Sequence, residues 1–296
     1  MIIANPLYDV VFKYLLEDAE IARGLLSTIL GEDVLSLEVK PQETAIETGG
    51  GIHILRFDFH AVIQKPDGKR HKVLIELQKA KQAFDVMRFR RYLSEHYRKE
   101  DLVVNDRGTP EKRPLPIVTI YLLGFQLDSI APAVVKINRQ YRDAVTQEVL
   151  DIKEDFVELL THDSYLIQVR RLAGKARSKL ERVLQVFSPV YQTAQDRRRM
   201  DFQGETDDPL VRQIVDRLGR AIASEEIRDK MDVEDELDRI FEREIQKYAA
   251  LIAEKEALAE AQQRRAEEQQ RRAEAEIQKN LDLQQQIEAL KKQLGS

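Results

Sequence analysis

The final fifty residues before the C-terminus carry a seven-residue repeat, which restricts this part of the chain to a long helix. Two adjacent heptads, QQRRAEE at 262–268 and QQRRAEA at 269–275, are nearly identical. If Ala266 and Ala273 occupy heptad position a, the other a positions between 245 and 294 hold isoleucine, alanine or leucine, apart from Asn280. Apolar side chains spaced by seven residues form the seam of a left-handed coiled coil. We therefore expect self-association through residues 245–294.

The middle of the repeat also fits a single solvated helix. Its d positions are Lys255, Gln262, Gln269 and Glu276. Polar d positions beside alanine at a bury little apolar surface, and i,i+4 charge pairs support such a helix in water. Association has its best support at 280–294, where leucine occupies d and one asparagine occupies a, a combination that sets the register of a pair.

Composition excludes several kinds of site. The chain of 296 residues has no cysteine, which excludes disulfides, thiol catalysis and cysteine-ligated metals. Its 47 Lys and Arg against 52 Asp and Glu give a net charge of -5, which excludes a histone-like polycation but allows a local basic groove. No apolar run approaches the length of a membrane span, and the N-terminus lacks the pattern of a signal peptide. We expect a cytoplasmic protein without a membrane segment.

Three segments follow one another along the chain. Residues 1–192 interleave strand and helix signals, which predicts an α/β sheet domain. Residues 193–243 begin as a polar, aperiodic linker and continue as a helical segment. Residues 244–296 form the expected coiled coil, which would hold copies of the chain together.

Local signals predict several elements of the first segment. Asn5 and Pro6 suit the N-cap and the first position of a helix, and Gly31 suits a helix end. We expect later helices at 81–99 and 176–191. Apolar runs predict strands at 117–124, 134–137 and 164–169.

The candidate chemistry lies in one hairpin. Two alternating strands flank the turn Pro66-Asp67-Gly68, whose glycine suits the left-handed position of a three-residue loop. If Lys65 faces Lys69 across this turn, paired residue numbers sum to 134. Asp58 then faces Glu76, with β carbons about 5 Å apart on one side of the sheet.

Two opposed carboxylates repel each other unless one is protonated or a cation lies between them. Oxygen ligands in a polar cleft suit Mg²⁺, and the backbone carbonyl of Leu77 is the natural additional ligand. A metal held in this way supports phosphodiester hydrolysis. The alternative is a solvent-facing strand in which Asp58, Glu76 and Gln78 alternate without a common function.

Short motifs in and around this hairpin carry a family resemblance. They are YDVVFKYLL at 8–16, with Asp9, Phe12 and Lys13; RFDFHAVI at 56–63, with Asp58; IELQ at 75–78, with Glu76 and Gln78; and Arg88 and Tyr92 one helical turn apart. In combination they resemble the PD-(D/E)xK nuclease superfamily, and within it the recombination-promoting nuclease (Rpn) and putative transposase family. The resemblance covers about residues 1–190 and leaves the heptad repeat outside.

The resemblance implies a restriction-endonuclease-like fold, which is a mixed sheet flanked by helices, followed here by a long C-terminal helix. It implies Mg²⁺-dependent cleavage of DNA, with Mn²⁺ as a substitute. Asp58, Glu76 and Gln78 would be catalytic, and the metal ligands would be Asp58, Glu76 and Leu77. The supporting residues would be Asp9, Lys13, Lys79, Arg88 and Tyr92.

Gln78 departs from the superfamily pattern, which has lysine at this position in most members. Glutamine is usual in the family itself, but it forms only neutral hydrogen bonds, whereas lysine brings a positive charge. The charge would come from Lys13, Lys79 or Lys81, which the sequence does not rank. His60, on the same strand face as Asp58, is a candidate base or a surface residue.

Several other candidates have an ordinary structural alternative. Asp9 is either an outer acid near the metal or the partner of Lys13 on a helix surface. Arg90 and Arg91 either contact phosphates or form a solvated helix face. Basic runs at 170–179 and 197–199 suit a phosphate backbone, although acidic residues are interspersed.

Two other functions stay open at this stage. One is a DNA-binding or recombination-associated module that is catalytically weak or inactive. The other is a coiled-coil assembly protein that retains the nuclease-like domain without its activity.

Deleting residues 245–296 should abolish self-association, because the heptad seam is then lost. Light scattering of the full chain and the truncated chain at matched concentrations measures this. A full-length chain that is already monomeric would contradict the coiled-coil interpretation.

Overall fold

A mixed β-sheet organises the first part of the chain. The computed structural model describes residues 1–41, 56–64, 70–80, 86–104 and 108–294. The strands are β1 (Ile2–Ala4), β2 (Asp33–Pro41), β3 (Arg56–Gln64), β4 (Arg70–Ala80), β5 (Asp101–Val104), β6 (Pro110–Arg113), β7 (Ile117–Leu123), β8 (Val134–Ile137), β9 (Tyr141–Arg142), β10 (Val149–Leu150), β11 (His162–Gln168) and β12 (Arg199–Asp201). The helices are α1 (Asp9–Leu16), α2 (Ala19–Leu30), α3 (Val86–Tyr97), α4 (Asp155–Leu160), α5 (Lys179–Leu184), α6 (Pro209–Ala223) and α7 (Glu225–Leu294).

The main sheet has six strands in the order β2-β3-β4-β7-β11-β8 among the described residues. β2, β3 and β4 pair antiparallel. β7 lies parallel to both β4 and β11, and β8 closes the other edge antiparallel to β11. The parallel step from β4 to β7 includes α3, as a crossover between parallel strands requires. The expected mixed sheet with helices is thereby confirmed.

One sheet face forms the main core of the protein. Alternate residues of β3 and β4 are buried there, namely Phe59, Ala61, Ile63, Val73, Ile75 and Leu77. They join a single apolar cluster with residues of α1, α2, α5 and α6. In this cluster the ring of Phe12 in α1 meets the ring of Phe187, in the turn that follows α5, edge to face. We refer to this side of the sheet as the main-core face.

α3 covers the opposite side of the sheet, which we call the α3 face. Leu93 of α3 packs against Leu74 and Ile117, and Phe89 packs against Leu123. Phe89 also stacks at a tilt on Tyr121, with ring centroids 4.9 Å apart. The sheet therefore has helices on both faces.

The first helix begins later than the sequence predicts. α1 starts at Asp9, and its N-cap is Tyr8, which makes no side-chain cap hydrogen bond. The Asn5 side chain instead accepts from the Leu7 N–H at 3.0 Å and donates to the Arg197 carbonyl at 2.9 Å. β1 pairs with β12, which brings Arg197 to this position. The capping prediction is wrong because a contact 192 residues away in sequence engages the amide.

Other local predictions are confirmed or shortened. α2 ends at Gly31, whose φ of 69° is the left-handed conformation that glycine adopts without strain. The strands expected at 117–124, 134–137 and 164–169 correspond to β7, β8 and β11. The helix expected at 176–191 is only α5, followed by 3₁₀ turns at Gln185–Phe187 and Pro189–Tyr191. Pro189 has no N–H to continue the helical ladder.

The chain divides into two compact units, Met1–Asp235 and Glu236–Ser296. The first unit includes β12 and α6, which lie in the segment predicted as linker and helix. α6 contributes Val211, Ile214 and Leu218 to the main core. No helix within the described ranges is both long and apolar enough to cross a membrane.

The second unit consists of the later part of α7. Ion pairs one turn apart line its surface, including Glu260 with Arg264 and Glu268 with Arg272. Apolar side chains that are exposed along it include Ile252, Leu283 and Ile287 of the predicted seam. The long C-terminal helix is confirmed, and its association into a coiled coil stays a prediction.

Two acids at the start of α7 hold the N-terminal end of α1. The buried Asp235 carboxylate accepts from the Tyr8 hydroxyl at 2.7 Å and from Arg197 Nε at 2.9 Å. The backbone N–H of Asp9 has no acceptor within α1 and donates to the Glu234 carboxylate at 2.7 Å. Glu234 therefore caps the N-terminus of α1, which has no side-chain cap of its own. Burial and the Asp235 carboxylate raise the pKa of Tyr8 well above its usual value.

Asp235→Asn should lower the free energy of unfolding by about 2 kcal/mol, because it weakens two charge-assisted hydrogen bonds in a buried position. Tyr8→Phe should cost about 1 kcal/mol. Urea unfolding measures both changes. Asp232→Asn on the same helix is the control and should cost less than about 1 kcal/mol, because that carboxylate is exposed. Equal effects of Asp232→Asn and Asp235→Asn would contradict this account.

Candidate functional site

The hairpin register places the two predicted acids directly opposite each other. Asp58 of β3 pairs with Glu76 of β4, and Arg56 pairs with Gln78. Paired numbers sum to 134 as predicted. Residues 65–69, which include the predicted turn, lie outside the described residues.

Strand alternation assigns these positions to the α3 face. In β3 the residues at 59, 61 and 63 belong to the main core, so position 58 falls on the other side. In β4, Leu74 packs against residues of the α3 face. Position 76 lies two residues later and therefore falls on the same face. The side chains of Asp58, Glu76 and Gln78 lie outside the described part of the structure.

This placement suits a divalent cation. Two carboxylate-bearing positions on neighbouring strands are about 5 Å apart at the β carbons, and oxygen ligands at that spacing fit Mg²⁺. Leu77 lies between positions 76 and 78, with its side chain fully buried in the main core. Among the side chains that the structure describes, no three His, Asp or Glu lie together as a metal-ligand group.

Lys79 and Asp9 meet on the main-core face. Lys79 is 7% exposed, forms an ion pair with the Asp9 carboxylate and donates to the Leu7 carbonyl. Because side chains alternate along β4, Lys79 lies on the same sheet face as Leu77 and on the opposite face from position 76. The positive charge of Lys79 is therefore engaged by the start of α1.

The other lysines that the sequence offered as a charge source are placed differently. Lys13 is partly buried on α1, which packs on the main-core face. Lys81 lies outside the described residues. The structure thus places Lys13 on the side of the sheet opposite to α3.

α3 carries Arg88 and Tyr92 over the sheet face that bears positions 58 and 76. The side chains of these two residues lie outside the described part of the structure. Arg90 and Arg91 of the same helix are exposed. A basic helix therefore lies on the side of the sheet where the two acids are placed.

His60 belongs to a charged cluster that the sequence did not reveal as a whole. His60 Nδ1 lies 3.2 Å from Asp101 Oδ2, and Lys72 Nζ lies 2.9 Å from Asp101 Oδ1. Burial by itself raises the pKa of Asp101, but the hydrogen bond from Lys72 and the neighbouring His60 outweigh it, so the pKa lies below its ordinary value. The cluster ties β5 to the hairpin beside position 58.

A buried hydroxyl pair also escaped sequence analysis. Thr119 of β7 is fully buried, and its Oγ1 lies 2.8 Å from Oγ of Ser164 in β11. Thr119 pairs in register with Glu76. The only local signal was a threonine inside the apolar run IVTIYLL, which does not show what it contacts.

The basic run 197–199 is largely neutralised within the protein. Arg197 pairs with Asp235, and Arg198 pairs with Asp196 and Asp232. Arg170, Lys175 and Arg177 of the other run are exposed. The run at 170–179 is therefore better suited to phosphate contacts than the run at 197–199.

Comparisons with known proteins add no family assignment. No protein-family model matches the chain, and neither a curated protein nor a solved structure matches it significantly.

Asp9→Asn should lower the free energy of unfolding by about 3 kcal/mol, because it leaves the buried Lys79 ammonium without its anionic partner. Adding Lys79→Met should recover most of the loss, since methionine removes the buried charge at similar volume. Urea unfolding provides both values.

The matched control is Glu20→Gln, which breaks the exposed pair with Arg23 and should cost less than about 1 kcal/mol. If Asp9→Asn costs no more than this control, the Asp9–Lys79 pair does not hold α1 on β4.

Proposed function

We propose that the protein is a Mg²⁺-dependent DNA endonuclease of the recombination-promoting nuclease type. The observation that carries the proposal is the pairing of Asp58 with Glu76 on the sheet face covered by α3. The mixed sheet also supports it, because β2, β3 and β4 run antiparallel and α3 leads to a parallel β7. A restriction-endonuclease-like fold is part of the same proposal.

Asp58 and Glu76 would hold the metal through their carboxylates, with the Leu77 carbonyl as a further ligand. A bound Mg²⁺ supplies charge neutralisation for a phosphoryl group and promotes ionisation of water. Gln78 follows Glu76 by two residues and so shares its sheet face, where a neutral amide orients a phosphate or a water by hydrogen bonds. The side-chain amide also accepts hydrogen bonds, which lysine does not.

DNA would reach this face beside α3. Arg90 and Arg91 are exposed on that helix, and Arg88 occupies the same element. Arginine binds phosphate oxygens through two parallel N–H donors, and such contacts supply affinity without selecting sequence. Arg88 and Tyr92 would then assist catalysis or substrate binding from α3.

Association through residues 245–294 would bring two nuclease units together. One unit that cuts a single strand is sufficient for nicking, whereas two linked units act on one duplex at a high effective concentration. The exposed apolar side chains along α7 support this arrangement.

A DNA-binding module without turnover is the second candidate. The observation in its favour is that Lys79 is engaged by Asp9 and the Leu7 carbonyl on the opposite sheet face. Because position 78 is glutamine, the catalytic charge would then come from Lys81, from arginine residues of α3 or from the metal itself.

Asp58→Ala and Glu76→Ala should each abolish Mg²⁺-dependent nicking of supercoiled plasmid, by at least about 100-fold, because each removes a metal ligand. Wild-type nicking should require Mg²⁺ or Mn²⁺ and should be absent in EDTA. Circular dichroism and thermal unfolding check that both variants fold. Glu38→Ala on β2, an exposed acid paired with His60 in the sheet, is the matched control.

Undiminished nicking by both alanine variants would refute the site. DNA binding in EDTA without cleavage in any divalent ion would favour the second candidate. Assembly without affinity for DNA would point to a coiled-coil assembly protein.

A further inference from the structure

The chain between β8 and β11 leaves the main sheet and keeps most of its large apolar side chains exposed. Residues 138–161, which we call the insert, contain the hairpin of β9 and β10 and the short helix α4. α4 has no buried side chain. The exposed large apolar side chains of the insert are Val145, Val149, Leu150, Ile152, Phe156 and Leu160. Phe156 is 69% exposed, and Leu160 lies one helical turn later on the same side of α4.

Polar contacts hold the insert beside the sheet. Arg139 forms ion pairs with Glu158 at 2.8 Å and with Asp163 at 3.2 Å, and it donates to the Thr161 carbonyl at 3.0 Å. The Tyr141 hydroxyl donates to Glu158 at 2.8 Å. The exposed apolar side chains take no part in these contacts. Apolar side chains that are gathered in one segment, and not scattered singly over the surface, mark a site of interaction.

The charge of the insert selects the kind of partner. Residues 138–161 contain six Asp and Glu against three Lys and Arg, which gives a net charge of -3. Asp151, Glu154 and Asp155, which lie among the apolar residues in sequence, are exposed. Like charges that face each other across an interface oppose binding, so the insert does not suit a second insert, DNA or an anionic lipid surface. It suits a partner that is both basic and apolar.

The start of α3 has this complementary character. Val86 is 51% exposed and Met87 is 66% exposed. Residues 86–94 contain three arginines and no acid, and Arg90 and Arg91 are exposed. The run at 170–179 is also basic, but its described side chains include no exposed large apolar one. The start of α3 therefore fits the insert in both respects.

Within one chain these two surfaces lie at opposite ends of α3. Near its start, Phe89 packs against Leu123, the last residue of β7. At its end, the Tyr97 hydroxyl lies 2.6 Å from Nδ1 of His162, the residue that follows the insert. The 12 residues of α3 span about 18 Å. Because Arg139 fixes the insert beside β11, the insert does not cover the start of α3 in its own chain.

We propose that the insert of one copy of the chain docks on the start of α3 of a second copy. Phe156 and Leu160 would pack on Met87, and the exposed acids of the insert would lie beside Arg90 and Arg91. Because each copy carries both surfaces at different ends of α3, a two-fold arrangement forms the contact twice and closes. Association through residues 245–294 would raise the effective concentration of the two copies, so a small contact suffices.

The inference does not depend on nuclease activity. DNA that contacts Arg90 and Arg91 would compete with the second copy for the start of α3. The experiment is therefore carried out on full-length chains without DNA.

Disulfide trapping tests the contact directly, because the chain has no cysteine of its own. Two full-length chains with different tags, one with Met87→Cys and the other with Phe156→Cys, are coexpressed and oxidised. The disulfide between them should form with at least about 10-fold higher yield than with Val190→Cys in place of Met87→Cys, since a disulfide requires close α carbons. Val190 is a matched control because it is apolar, 62% exposed and outside both surfaces.

Charge reversal tests the recognition between the two surfaces. Glu154→Lys with Asp155→Lys should lower the disulfide yield by about 10-fold, and so should Arg90→Glu with Arg91→Glu on the other chain, because like charges then face each other. Combining the two reversals should restore the yield to within about threefold of the original. Arg170→Glu, at an exposed cation outside both surfaces, should leave the yield unchanged. Circular dichroism checks that each variant folds.

Each contrary result overturns the inference in its own way. A disulfide that joins Phe156→Cys of one copy to Phe156→Cys of another would show that inserts pair with each other. Equal yields with Met87→Cys and Val190→Cys would show that collision alone produces the disulfide. Failure of the combined reversal to restore the yield would remove the charge complementarity. If no disulfide forms, the second copy is not the partner of the insert.

Discussion

The antiparallel register of β3 and β4 is the constraint on which the rest of the structure depends. Phe59 pairs with Ile75 and Ala61 with Val73, and all four side chains are buried in the main core. A slip of one residue would move this apolar set to the other sheet face. The burial that fixes the register therefore also fixes positions 58 and 76 together on the α3 face.

The two sheet faces have separate chemical roles. On the main-core face the buried Lys79 is paired with Asp9 and bonded to the Leu7 carbonyl, so its charge holds α1 on the end of β4. On the α3 face, polar positions run in one row from β3 to β11 beneath a basic helix. Alternation along a single strand thus gives Gln78 and Lys79, which are adjacent in sequence, different surroundings.

The start of α7 belongs to the same network as the start of α1. Glu234 caps the first backbone N–H of α1, and Asp235 binds Tyr8 and Arg197. Tyr8 and Asp9 in turn adjoin the Leu7 carbonyl that binds Lys79. The charged side chains of Glu234, Asp235 and Arg197 therefore join segments that are far apart in the sequence.

Local and periodic features were readable from the sequence because they depend on neighbours a few residues apart. The alternation of the hairpin gave its register, the heptads predicted the long C-terminal helix, and Gly31 marked a helix end. Pairs that are far apart in sequence were decided only by the tertiary structure: Asn5 with Arg197, Asp9 with Lys79, Thr119 with Ser164. The sequence contains many possible hydrogen-bond or ion-pair partners for each of these side chains. Only the strand order and the packing on both sheet faces select one partner for each.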